Sequence, residues 1–85
     1  MAEVVIYTKP GCPYCTAAMA LLKRKGVDFT EIVASRDPEI KAEMVARANG
    51  KSTFPQIFVG DKHVGGSDDI HALDARGGLD LLLAA

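Results

Sequence analysis

Lys9-Pro10-Gly11-Cys12-Pro13-Tyr14-Cys15 decides the reading of this chain. The stretch holds the only two cysteines and follows directly on the β-prone run Val4-Val5-Ile6-Tyr7-Thr8. A helix is predicted behind it, from Pro13 to Lys25. A strand, a tight turn and a Cys-x-x-Cys opening a helix form the sequence signature of a thiol–disulfide redox site. The chemistry needs that placement. The first N–H groups of a helix lack internal partners, and that end carries about half a positive charge. A thiolate there is stabilised and is a better nucleophile near neutral pH. Pro13 suits the first helical position, where a missing N–H costs nothing. Residues three apart on a helix have Cβ atoms roughly 5–6 Å apart, and a disulfide wants about 3.5–4.5 Å. Cys12 and Cys15 can therefore close and open a disulfide with little backbone movement.

Position also separates the two thiols. Cys15, Ala18, Met19 and Leu22 fall at i, i+3, i+4 and i+7, the spacing of one buried helix face. Cys15 is expected to be shielded and Cys12 to sit at an exposed tip. Cys12 is then the nucleophile and Cys15 the resolving thiol.

Outward from this site the elements follow in turn. Val4 to Thr8 is nearly all apolar, as in a strand covered on both faces. Gly26 ends the first helix behind the basic run Lys23-Arg24-Lys25, which suits the negative end of the dipole. Val27 to Val33 is rich in β-type residues and should pair in parallel with the first strand. Asp37-Pro38-Glu39 starts a second helix, with Asp37 as N-cap and Pro38 at N1. Its inner face carries Ile40, Met44 and Ala48, with Met44 as core filler. Gln56 to Val59 and Lys62 to Gly65 flank Gly60-Asp61 as a hairpin. Ser67 is the expected N-cap of a third helix, and Gly77-Gly78 separates it from a short closing helix, Leu79 to Leu83. The order is βαβαββα plus a terminal helix: an α/β domain with a four-stranded mixed sheet.

Eighty-five residues suit one domain, 1–85. A content of 48% hydrophobic and 25% charged residues is that of a globular chain. A net charge of −1 gives no reason to expect nucleic acid or an anionic membrane as partner. No apolar run approaches the ~20 residues of a membrane span, and Met1-Ala2-Glu3 leads into a strand without a signal-peptide pattern. A reducing cytoplasm is the expected compartment, where a lone Cys pair is catalytic or metal-binding rather than structural. No metal is expected. A structural zinc site needs four ligands, and His63 and His71 do not stand at finger or ribbon spacings from the cysteines. Both histidines are expected at the surface.

Three other features allow two readings each. Thr53-Phe54-Pro55 is locally a loop with a trans proline, yet the extended Phe54 could offer its backbone N–H and C=O to a bound peptide. Ser67-Asp68-Asp69 is a plain capped helix start, or an anion site with a carboxylate for an ammonium group. Lys9 is a solvated lysine, or a cation that favours the Cys12 thiolate or an anion.

Taken together, Lys9-x-x-Cys12-Pro13-Tyr14-Cys15, Thr53-x-Pro55 and Gly65-Gly66-Ser67-Asp68-Asp69 resemble the glutaredoxins, in particular bacterial dithiol members. The likeness runs through the whole chain, including Pro55-Gln56-Ile57-Phe58 and Leu73-Asp74-Ala75-Arg76-Gly77-Gly78-Leu79. It implies a thioredoxin-like fold with Pro55 cis and facing the cysteines. It implies a glutathione groove lined by Thr53, Phe54, Pro55, Gly66, Ser67 and Asp68. There Phe54 pairs its backbone with the glutathione cysteine, Ser67 and Asp68 receive the γ-glutamyl end, and Lys9 and Tyr14 lie near the glycyl end. Phe54 replaces the family's common Val, and Ser67 stands where near relatives often have a third Cys. The resemblance implies a monomeric, glutathione-dependent oxidoreductase acting on protein disulfides and glutathionylated proteins. Two alternatives are an Fe–S cluster dimer, against which Pro13 and Tyr14 argue, and a thioredoxin-type reductant driven by a flavin reductase.

Overall fold

The computed structural model describes residues 2–84. Strand β1 (Val4–Thr8) lies inside a four-stranded sheet of order β2-β1-β3-β4. It pairs in parallel with β2 (Thr30–Val33) and antiparallel with β3 (Gln56–Val59), which pairs antiparallel with β4 (Lys62–Gly65). The helices are α1 (Pro13–Arg24), α2 (Pro38–Arg47), α3 (Ser67–Ala75) and α4 (Gly78–Ala84). This is the mixed thioredoxin-like sheet that the resemblance implied.

Strand alternation divides the interior into two layers. Val4, Ile6, Ile57 and Val59 meet Ala18, Leu21 and Leu22 of α1, Ile70 of α3, and Leu79 and Leu83 of α4. Tyr7 and Phe58 point to the other face, against Met44 and the neighbouring Ala48 at the end of α2. Their rings meet edge to face at 5.7 Å. Arg47 covers this second layer, donating to the Tyr7 hydroxyl at 2.8 Å with its guanidinium 4.4 Å from the Phe58 ring centre.

Local signals place most helix ends. Asp37 accepts from the N–H groups of Glu39 (3.0 Å) and Ile40 (3.3 Å), capping α2 as expected. At the end of α1, Gly26 takes φ +70°, its N–H bonds to Lys23 O at 3.0 Å, and Val27 N–H bonds to Leu22 O at 3.3 Å. That is a Schellman closure. It also shortens the second strand, which was expected from Val27 but begins at Thr30. The Val27 N–H is already used, and Val27 and Phe29 pack on the core instead of joining the ladder.

Two expectations are corrected at α3 and on β4. Ser67 is not the N-cap; Gly66 is, and Ser67 is the first helical residue. The Asp69 carboxylate reaches back to accept the Gly66 N–H at 2.8 Å, so the helix start is held from its third residue rather than by a serine hydroxyl. His63 is half-buried rather than a surface residue. It sits opposite Phe58 in the β3–β4 register and stacks on its ring at 5.0 Å.

Candidate active site

The redox helix begins one residue after β1 has delivered the chain to the sheet's end and the loop Lys9–Gly11 has turned it. Cys12 is the N-cap of α1, in an extended conformation (φ −99°, ψ 106°), with Pro13 following at the helix start. Its sulfur accepts the Cys15 N–H at 3.3 Å, and its carbonyl accepts the Thr16 N–H at 3.1 Å. Cys12 therefore does for this helix what Asp37 does for α2. A sulfur that accepts a bond from the helix N-terminus is placed where negative charge is favoured.

This geometry corrects one expectation. Cys12 is 5% exposed rather than an exposed tip. Folding the sulfur back toward the Cys15 amide draws the side chain under the helix start, whereas sequence position alone suggested an outward one. Cys15 is buried, as its helical face implied, at 2% exposure. Its thiol is pushed up to about 11, first by burial and then by the hydrogen bond and charge of Cys12. The backbone and the charge of Lys9 pull it down in part.

Beside the redox helix lies an open cleft of about 230 Å³. It is lined by Lys51, Thr53, Phe54, Pro55 and Gln56 from the segment entering β3, by Gly66, Ser67, Asp68 and Asp69 at the start of α3, and by Tyr14 from the first turn of α1. The Phe54–Pro55 peptide is cis, as the resemblance implied and the local sequence did not. Seven of the expected binding residues, Tyr14, Thr53, Phe54, Pro55, Gly66, Ser67 and Asp68, are brought together here. Lys9, Cys12 and Cys15 are not part of the lining.

Two lining residues escaped the sequence reading, and a third, Asp69, stood there only within the Ser67-Asp68-Asp69 helix start. Lys51 supplies the cleft's cation, on the same wall as Thr53 and Phe54. Its place two residues before Thr53 was the available signal. Asp69 lines the cleft while holding the Gly66 N–H. Gln56, 1% exposed, donates to Thr53 O at 2.9 Å and to Thr53 Oγ1 at 3.1 Å. A buried glutamine at the start of a strand needs such partners; in the sequence Gln56 stood only within the Pro55-Gln56-Ile57-Phe58 stretch of the resemblance. Among the described residues, no three His, Cys, Asp or Glu side chains gather as a metal site.

The arrangement joins a helix-capping thiol, a second thiol held protonated beneath it, and a cleft carrying both charge signs. The glutaredoxin family model matches residues 4–64. Glutaredoxin 3 of Escherichia coli K12 is 54% identical over 83 residues, covering 98% of this chain and 99% of that protein. The solution structure of a Brucella melitensis glutaredoxin is 60% identical with a TM-score of 0.85, covering 98% of this chain and 89% of that one. A crystal structure of a buckwheat glutaredoxin–glutathione complex superposes with a TM-score of 0.85 at 27% identity, covering 98% and 77%. With the Cys12/Cys15 pair at a helix start and a matching fold around it, the chain belongs to the glutaredoxin family and is a thiol–disulfide oxidoreductase.

Proposed function

We propose that this glutaredoxin is glutathione-dependent and reduces both protein disulfides and glutathionylated proteins in the reducing cytoplasm. One observation carries the reading: the cleft alongside the redox helix has Lys51 on one segment and Asp68 on another. Glutathione has an ammonium group at its γ-glutamyl end and a carboxylate at its glycyl end. Asp68 matches the first and Lys51 the second, and Phe54, which lines the same cleft, offers its backbone as a strand partner for the tripeptide. The early N–H groups of α3 are donors for the γ-glutamyl carboxylate. The similar fold of the buckwheat complex supports the same occupant.

In the proposed cycle, the Cys12 thiolate attacks one sulfur of a substrate disulfide and expels the other as thiolate. With a protein disulfide, Cys15 loses its proton and attacks the Cys12 sulfur. The protein thiol leaves, and Cys12–Cys15 is left oxidised. One glutathione thiolate opens that bond to give glutathionylated Cys12, and a second attacks the glutathione sulfur, releasing glutathione disulfide. A glutathionylated substrate passes its glutathione straight to Cys12, so one further glutathione completes the cycle without Cys15. Glutaredoxins sit at about −200 to −230 mV and extracted cytosolic glutathione at roughly −220 to −260 mV, so glutathione is a competent reductant.

The test is turnover of a small glutathionyl mixed disulfide with glutathione as sole reductant, beside a glutathione-free assay driven by a flavin thioredoxin reductase. Activity in the first and none in the second is expected. The reverse pattern would overturn the reading.

A further inference from the structure

His63 lies outside the redox chemistry described so far, yet it is bonded to the cleft wall. Its Nε2 is 2.6 Å from Gln56 Oε1, and the Gln56 amide nitrogen donates to both Thr53 O and Thr53 Oγ1. The direction of this chain is fixed by one atom. A backbone carbonyl can only accept, so Thr53 O requires the amide nitrogen of Gln56 on its side. Oε1 must then face His63, and His63 must carry a proton on Nε2. The Thr53 hydroxyl, accepting from Gln56, keeps its own proton for an acceptor in the cleft that Thr53 lines.

We propose that His63 is a positioning residue of the substrate cleft: by donating to Gln56 it holds the carbonyl and hydroxyl of Thr53 in place beside Phe54 and Pro55. The inference rests on the cleft being the glutathione site. His63 suits the task because its ring is anchored by stacking on Phe58. Asp69 of α3, Lys62 of β4 and Arg76 beyond α3 border the same hollow, and the charge of Lys51, from the segment before β3, also reaches the ring. The imidazolium also has an Nε2 proton, so the hydrogen bond persists when the ring is charged.

Two experiments test this. Nitrogen-15 NMR of the wild-type imidazole should show the neutral ring protonated at Nε2; a ring protonated at Nδ1 would overturn the proposal, whatever the substrate. In kinetics, His63→Phe keeps a ring over Phe58 and removes the donor. KM for a glutathionylated peptide should rise about three- to tenfold, as for one misplaced hydrogen bond. The kcat and the rate of Cys12 alkylation by iodoacetamide should stay within about twofold of wild type, below the change that one lost bond makes. His63→Gln, which restores an N–H donor, should recover much of the KM. A His63→Phe protein with lowered thermal stability and unchanged KM would show a structural residue only, and the proposal would fall. If His63→Phe does not fold, Gln56→Glu replaces it, because a carboxylate cannot donate to Thr53 O, and its KM should rise likewise. A wild type inactive on glutathionylated peptide would remove the glutathione reading, while the ring tautomer would still decide the network.

Discussion

The Cys15 N–H points at the Cys12 sulfur across 3.3 Å, while the Cys15 thiol itself is pushed up to about 11. One residue thus supports its neighbour's sulfur through its backbone and keeps its own sulfur unreactive. The two cysteines differ by environment, although they share a helix turn.

The first consequence is selective labelling. With less than one equivalent of iodoacetamide at pH 7–8, modification should fall on Cys12, and Cys15 should begin to react only as pH approaches 11. Peptide mapping by mass spectrometry reads this directly. Labelling of Cys15 in preference to Cys12 at neutral pH would contradict the assignment.

Division of labour between the thiols gives the second. Cys12→Ser should abolish all turnover. Cys15→Ser should keep deglutathionylation and lose dithiol reduction of protein disulfides. Parallel assays on a glutathionylated peptide and an intramolecular protein disulfide separate the two, and equal loss of both in Cys15→Ser would refute the roles.

Asp68 is exposed at the cleft's edge, so its charge is separable from folding. Asp68→Asn keeps the shape and removes the carboxylate that would meet the γ-glutamyl ammonium. KM for glutathione should rise several-fold, since a charge-assisted hydrogen bond is roughly twice as strong as a neutral one. Alkylation of Cys12 by an uncharged reagent should be unaffected. An analogue lacking the γ-glutamyl amine should bind both proteins alike. Wild-type glutathione kinetics in the variant would leave Asp68 as a helix-start residue alone.

Gly65 has φ +116°, and a Cβ there would collide with the Asp69 carboxylate. Gly65→Ala should therefore cost about 1–3 kcal/mol from backbone conformation, and should also push Asp69 off the Gly66 N–H. Urea denaturation measures the first effect, and a raised KM for the glutathionylated peptide reports the second. Wild-type stability would show that the strand end adapts.

Stability should also depend on His63. Burial, with Lys51 adding to it and Asp69 partly offsetting it, lowers its pKa in the folded protein. As pH falls below about 6.5, the unfolded chain takes up the proton before the folded one does. Stability is then full above that value and declines through the window down to the lowered folded pKa. Urea midpoints between pH 7.5 and 5 should show a decline that is smaller in His63→Phe. An identical decline in both proteins would exclude the histidine as its source.

What could be read from the sequence was what short-range chemistry determines. The strand before Cys12, the cap at Asp37, the glycine closure at Gly26 and the hairpin at Gly60-Asp61 each depend on a few adjacent residues. Cys12 was misjudged because its exposure depends on which way the sulfur folds, not on where the residue stands. Ser67 was misplaced by one residue because a glycine can cap when Asp69 reaches back to it. Lys51 and Gln56 were missed because the cleft exists only once the segment before β3 lies beside α3 and α1. Local preference argued for a trans bond before Pro55, and only the family pattern pointed the other way.

The far end of α1 is tied down. Lys25 forms ion pairs with Asp74 at 2.6 Å and Asp80 at 3.2 Å, and Leu21 and Leu22 are sunk in the main core layer one turn earlier. The cysteines ride on the opposite end. Bond making and breaking therefore happens at the end of the rod away from that anchor, so the small rearrangement of the disulfide need not reach it. In hydrogen exchange, amides around Leu21 and Leu22 should open only with the whole protein, while those at the start of the helix open locally in either redox state. The protein can cycle its disulfide repeatedly while the scaffold beneath stays closed.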